Sequence, residues 1–166
     1  IELSSDGFYE SEDKLWAHRV NNLKDIKPLS KDFKGFELDV FYNQSLNQFD
    51  VKHHGKYTEL SLNQYFSYSK DLSLKYWIDF KNLNKNNVID AISLLDTLTS
   101  KYLIKADVIV ESKNIELLSV FKKHGFSISY WLPEFHVIKS IFQINKTVKN
   151  IEKFEPDVIS MPHSSV

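Results

Sequence analysis

The 166-residue chain has no cysteine, four glycines, four prolines and a single arginine. Without cysteine there are no disulfides, no thiolate metal sites and no cysteine nucleophile. Four glycines leave little room for a Gly-rich phosphate-binding loop, which sets aside a flavodoxin-like nucleotide fold. No stretch approaches the roughly 18 consecutive apolar residues of a membrane-spanning helix, and Ile1 does not open a signal-peptide pattern. The formal net charge of −1 excludes a strongly basic nucleic-acid binder, and no run of like charges suggests a polybasic membrane tail.

What remains is ordinary for a globular protein: 42% hydrophobic and 26% charged residues, enough to bury a sizeable core. The length, without linker, repeat or low-complexity segment, reads as one domain spanning 1–166. Twenty lysines accompany the lone Arg19. A guanidinium offers a flat fork of donors that an ammonium lacks, suited to carboxylate or phosphate. Its neighbour is His18, so the pair is a candidate site.

Strand-like runs alternate with helical ones. Lys14–His18 reads as a first strand, followed by a polar helix or loop through Asp32. Gly35–Tyr42 and Phe49–His53 alternate with period two and are joined by the hairpin-like link Asn43–Gln48. Thr58–Tyr65 reads as a short helix and Lys75–Lys81 as a strand. Val88–Leu103 carries a helical apolar stripe behind the candidate N-caps Asn86 and Asn87. Asp107–Val110 is a buried-type strand, and Ile115–Lys123 a helix stopped by Gly125. Ser127–Leu132 is a strand, His136–Asn150 a helix, and Asp157–Met161 a last apolar run. This alternation predicts a mainly parallel α/β sheet, open or closed.

Ionisable residues inside those strands are the informative feature, because a buried charge is costly unless it is paired or metal-bound. Glu37 and Asp39 share one face of Gly35–Tyr42. Asp79 and Lys81 share a face of Lys75–Lys81 with Trp77. His53 follows Phe49 and Val51 on one face of its strand, Glu111 ends the fourth parallel run, and His18 and Arg19 end the first. Carboxylates at i and i+2 repel one another unless a cation lies between them, and hard divalent ions prefer such oxygen donors. In parallel α/β folds the C-terminal strand edge is where sites are built.

The order His18-Arg19, Glu37-Leu38-Asp39-Val40, His53, Asp79-Phe80-Lys81 resembles the glycerophosphodiester phosphodiesterase family. That family belongs to the phosphatidylinositol-phospholipase-C-like (β/α)8 barrels, and its pattern is H-R-G, E-x-D-V, H-D and E-x-K. Val108–Gly125 is similar to the family's next strand and helix, so the likeness covers roughly 14–132. Val20, His54 and Asp79 depart from the family's glycine, aspartate and glutamate. His18-Arg19-Val20-Asn21 and His53-His54-Gly55 are similar to the sphingomyelinase D branch, the second choice within the superfamily.

The resemblance implies a (β/α)8 TIM-type barrel, incomplete at the C-terminus because such barrels need about 250 residues. It implies metal-dependent hydrolysis of a phosphodiester, glycerophosphodiester-like or a phospholipid head group, and hence a phosphoric diester hydrolase. Glu37, Asp39 and Asp79 would ligate one divalent cation, Mg²⁺ or Ca²⁺. His18 and His53 would serve as the acid–base pair, and Arg19 and Lys81 would bind the phosphate. The expected partner is a small phosphodiester or phospholipid, the latter with transient membrane contact, and not nucleic acid. A periplasmic, surface or secreted location is favoured over the cytoplasm. The alternative is a barrel without turnover that binds a phosphorylated sugar or lipid.

The other candidates divide as follows. Glu111 is either a fourth site acid or a ring-closing ion-pair partner. Alternation turns His54 away from His53, a structural role. Trp77, Tyr130 and Trp131 line a substrate mouth or belong to the core. His124 suits a helix C-terminus, His136 the surface, and His163 follows the last strand.

Overall fold

The computed structural model describes residues 15–53, 59–132 and 141–161. Lys14, His54, Gly55, Thr58, His136 and His163, which figure in the expectations above, lie outside the described residues. Seven strands and five helices follow in chain order: β1 (Trp16–Ala17), α1 (Leu23–Leu29), β2 (Gly35–Asn43), β3 (Gln48–Val51), α2 (Leu62–Ser69), β4 (Lys75–Phe80), α3 (Val88–Tyr102), β5 (Val108–Ser112), α4 (Ile115–Lys123), β6 (Ser127–Trp131), α5 (Ile141–Phe154) and β7 (Val158–Ser160).

Six strands form one parallel path, β1-β2-β4-β5-β6-β7, and β3 pairs antiparallel with β2 off that path. Each parallel strand but the last is followed by a helix before the next, the order from which closed (β/α) barrels are built. The expected α/β class and parallel sheet are therefore present, with six parallel strands among the described residues. β1 and β7 are the outer strands of that path.

Period-two alternation sorts the side chains. Phe36, Leu38 and Val40 of β2, Tyr76, Ile78 and Phe80 of β4, and Val108 and Val110 of β5 turn toward the helices and are buried. They meet Ile26 of α1, Tyr65 and Phe66 of α2, Leu95 of α3 and Phe121 of α4 in a single apolar cluster. Edge-to-face rings run through it: Phe49 on Phe80 at 5.3 Å and Phe80 on Phe121 at 6.2 Å between centroids. Such pairs add to area burial and fix orientation. The opposite face of the same strands carries the ionisable residues.

Four local details differ from expectation. β1 stops at Ala17 because Arg19 takes φ +57°, a left-handed turn that ends extended pairing. The helix expected over Thr58–Tyr65 begins at Leu62. Ser61 caps it by accepting from the Gln64 amide, while the Gln64 side chain accepts from the Ser61 amide; this S-x-x-Q capping box is the start signal that the apolar spacing obscured. Asn87 is the N-cap residue of α3, but its amide bonds back to Asn82 and Asn84 of the preceding loop. The last helix runs to Phe154, four residues past its expected end.

One glycine is required by close approach. A Cβ built on Gly35 would lie 2.3 Å from Cδ2 of the Trp16 indole, which rests across it in the β1–β2 register Trp16↔Gly35. Gly35→Ala must displace that ring from the sheet interior, and the expected loss is about 1–3 kcal/mol. Urea denaturation of wild type and Gly35→Ala checks it; an unchanged midpoint would show that the indole is free to move.

Candidate active site

Strand register gathers the acids. Asp39 of β2 pairs with Asp79 of β4, Asp79 with Glu111 of β5, and Glu111 with Ser129 of β6, so one row of the sheet carries three carboxylates and a hydroxyl. Glu37 stands two residues earlier on β2, on the same face. Glu37, Asp39 and Asp79 each offer one oxygen within 4.8 Å of the others.

Asp39 is fully buried and its neighbours hold it at three points. Asn21 donates through Nδ2 to Asp39 Oδ2 at 2.7 Å, and Asn21 Oδ1 accepts the Asp39 backbone N–H at 2.9 Å. Lys81 Nζ lies 2.6 Å from Asp39 Oδ1 and also pairs with Asp79. Lys81 is thus the charged partner of the Asp39 oxygen that Asn21 leaves open. Three carboxylates with oxygens this close, sharing a single ammonium, form a donor set that a hard divalent cation takes. The residues fit such an ion.

Burial pushes Glu37 up to about 7, against the Arg19 backbone N–H that it accepts at 2.6 Å. That bond explains the left-handed Arg19: the strained turn aims its amide at the carboxylate. Burial likewise raises Asp79, with Lys81 opposing. For Lys81 burial acts downward, but Asp39 and Asp79 outweigh it and hold the ammonium above its ordinary value. His18 is lowered by burial and by Arg19, which keeps the ring neutral near neutral pH. Its Nε2 lies 3.5 Å from Glu37 Oε2, and its side chain is 65% exposed.

These groups open into a cavity of about 1070 Å³ lined by His18, Arg19, Glu37, Asp79, Lys81 and Glu111, with further walls from β6, β7, α4 and α5. Six of the seven expected site residues therefore cluster, with Asp39 at the buried end of the group. His53 stands apart. It follows β3 one residue after Lys52, whose N–H donates to the Asp39 carbonyl at 3.0 Å, but it is not among the cavity-lining residues. β3 ends at Val51, and its Phe49 and Val51 point into the core beneath the helices.

Three participants were not legible as site residues. Asn21 sits in a loop, and its partner is 18 positions away. Lys113 lines the cavity and its charge acts on Asp79. Helix α5 brings Gln143, Lys146, Thr147 and Asn150 to the wall. Glu111 is not the ring-closing ion-pair partner; it accepts from Ser129 Oγ and Ser160 Oγ. Trp77 and Trp131 line the cavity, and Tyr130 both lines it and packs with Ile115 and Leu132. His124 Nδ1 meets the Val120 carbonyl at the end of α4, as expected.

No family model matches the sequence, and no curated protein matches it. The fold is similar to solved structures. A candidate glycerophosphodiester phosphodiesterase from Galdieria sulphuraria superposes with a TM-score of 0.71 at 14% identity, over 91% of this chain and 75% of that one. A phosphodiesterase from Oleispira antarctica, in complex with the product sn-glycerol-3-phosphate, gives 0.68 at 11% identity over 91% and 75%. A glycerophosphodiester phosphodiesterase from Parabacteroides distasonis gives 0.62 at 14% identity over 88% and 81%. At these identities the likeness is one of fold.

The raised Glu37 sets a pH dependence. Below its ordinary 4.5 the carboxyl is neutral folded and unfolded; between 4.5 and about 7 only the unfolded chain ionises, so stability falls as pH rises. The full effect is at most about 3 kcal/mol. Asp79 and Glu111 are pushed the same way, so Glu37→Gln should reduce the fall and not abolish it. Denaturation midpoints of metal-free protein across that range check this; parallel curves for wild type and variant would contradict it.

Proposed function

We propose that this chain is a metal-dependent phosphodiesterase that hydrolyses a small, water-soluble phosphodiester of the glycerophosphodiester type. The observation that carries the proposal is the cluster of Glu37, Asp39 and Asp79, which each offer one oxygen within 4.8 Å of the others, in a fold shared with phosphodiesterases. The six parallel strands then correspond to the first six of an eight-stranded (β/α)8 barrel, and the site to the C-terminal edge where such barrels work.

Glu37, Asp39 and Asp79 would hold one divalent cation, Mg²⁺ or Ca²⁺. That ion supplies positive charge to the phosphoryl oxygens and makes the phosphorus easier to attack. Arg19 and Lys81 line the same cavity and would bind the remaining phosphate oxygens, where fixed cations stabilise the developing charge. His18 is neutral and open to solvent, the state in which it takes a proton from an attacking hydroxyl. Glu37 beside it stabilises the imidazolium that results. His53 is the proposed second histidine, returning a proton to the leaving alkoxide; its strand is tied to that of Asp39 through Lys52.

The soluble diester is taken first because the α5 wall is polar, with Gln143, Lys146, Thr147 and Asn150 turned to the cavity. Ile141, Phe142, Ile144 and Val148 of the same helix are exposed, an apolar surface that a phospholipid substrate would use.

Calorimetry of Mg²⁺ and Ca²⁺ on wild type and Asp39→Asn should show one divalent site, lost or much weakened in the variant. His18→Ala should lower hydrolysis of a glycerophosphodiester by about 10²–10⁴-fold, and His53→Ala by a similar factor if it completes the pair. Metal binding without cleavage of any tested diester would instead favour a barrel that binds phosphorylated ligands. Absence of an Asp39-dependent ion would remove the metal assignment.

A further inference from the structure

The two acids of β2 are held from one short loop. Arg19 donates its backbone N–H to Glu37 Oε2 at 2.6 Å. Two residues on, Asn21 donates through Nδ2 to Asp39 Oδ2 at 2.7 Å. Between these bonds the loop is anchored to the same strand, where the Val20 N–H reaches the Glu37 carbonyl at 2.9 Å. In each carboxylate one oxygen is thereby taken by a neutral donor fixed in place. The first donor belongs to the backbone, in the left-handed turn at Arg19; the second belongs to a side chain only 9% exposed. The Asn21 amide is fixed in orientation as well. Its Oδ1 accepts the Asp39 N–H at 2.9 Å, so a flip would set oxygen against oxygen and N–H against N–H.

The other oxygen of each acid is left for the site. Lys81 Nζ stands between Asp39 Oδ1 and Asp79, which puts Oδ1 on the side of the second acid. Among the described residues, the contacts of Glu37 with Arg19 and His18 both fall on Oε2, which leaves Oε1. This matters to divalent ions. Ca²⁺ takes about six to eight oxygens in a flexible shell and accepts both oxygens of one carboxylate, whereas Mg²⁺ demands an octahedron, keeps several waters and is content with single carboxylate oxygens. Turning Glu37 or Asp39 to present both oxygens would break the bond from Arg19 or Asn21 and leave that donor unpaired.

Resting on the metal-dependent reading above, we infer that residues 19–21 select the ion. By occupying one oxygen of Glu37 and one of Asp39 they hold both acids to single-oxygen ligation, and the site takes Mg²⁺ in preference to Ca²⁺. Asn21 is a positioning residue in this scheme, acting on the ion through Asp39.

The test is calorimetric titration of the metal-free chain with Mg²⁺ and with Ca²⁺ separately, and its readout is the ratio of the two dissociation constants. Wild type should bind Mg²⁺ more tightly. Asn21→Ala frees Asp39 Oδ2, so Mg²⁺ affinity should fall about 10–100-fold. Ca²⁺ affinity should fall about tenfold less, because the freed oxygen becomes a further ligand. A role confined to holding the loop together would weaken both ions alike and leave the ratio unmoved. Asn21→Ser, which keeps a polar side chain without the amide, serves where Asn21→Ala does not fold; thermal denaturation without metal shows which variants are folded. Tighter Ca²⁺ binding by wild type, or an unchanged ratio in a folded variant, overturns the inference, and the phosphodiesterase reading stands if either ion still depends on Asp39. A chain that binds neither ion overturns both. Asn21-dependent preference for Mg²⁺ without cleavage of any diester supports the ion selection and removes the activity.

Discussion

Everything at this site depends on burying the Asp39 carboxyl with no exposure to water. An isolated carboxylate in a protein interior is several kcal/mol away from stability, and the surrounding chain is arranged to offset that. Asn21 closes a two-bond ring with the Asp39 side chain and backbone, and Lys81 faces the remaining oxygen. The loop after β1 is held in place by this ring and by the backbone bond from Val20 to Glu37. His18 and Arg19 are therefore carried to the acids by the same contacts that make the burial of Asp39 tolerable. Stability and site geometry are one set of bonds here.

The parallel register extends that arrangement across the sheet. Because β2, β4, β5 and β6 pair without a bulge through Asp39, Asp79, Glu111 and Ser129, acids from three strands arrive at one level. A slip of one residue in any pairing would send its acid to the helix-covered face, where Leu38, Ile78 and Val110 now sit. The apolar side of each strand therefore specifies the polar side. The aromatic packing of Phe49, Phe80 and Phe121 reaches the cavity wall at Phe80 and locks β3, β4 and α4 at the depth that the site needs.

The alternation of apolar and ionisable residues made Glu37, Asp39, Asp79 and Lys81 legible in the sequence, since period two needs only neighbours on the same strand. His18 and Arg19 were legible because they end a strand and because arginine occurs once. Asn21 was not, because its role is set by a partner 18 residues away and its loop has no period. At His53 period two gives no answer, because β3 ends at Val51 and the residue lies two positions beyond it. The shift of α2 was readable after all: the box formed by Ser61 and Gln64 is a local signal that the nearby leucines masked. Helix α5 was foreseen as a helix, but which face it would turn to the cavity depends on docking against Ile115, Tyr130 and Leu132 through Ile151 and Phe154. That docking is tertiary and leaves no local mark.

Charge is divided within the cavity, and the division follows from which acids have a cation. Lys81 sits between Asp39 and Asp79 and serves both, so that end combines three carboxylates with Lys81 and Arg19, a mixture suited to a metal ion and an anion together. Glu111 is in the same row but beyond Lys81, and serine hydroxyls and an indole satisfy it instead. These neutral donors favour the charged form of Glu111 against burial, which pushes it the other way, whereas Asp39 has the Lys81 ammonium beside it. A row of acids that looks uniform in the register therefore has two electrostatic ends. The α5 wall adds to this division, since it sets the Lys146 ammonium beside the neutral Gln143, Thr147 and Asn150 at the same cavity.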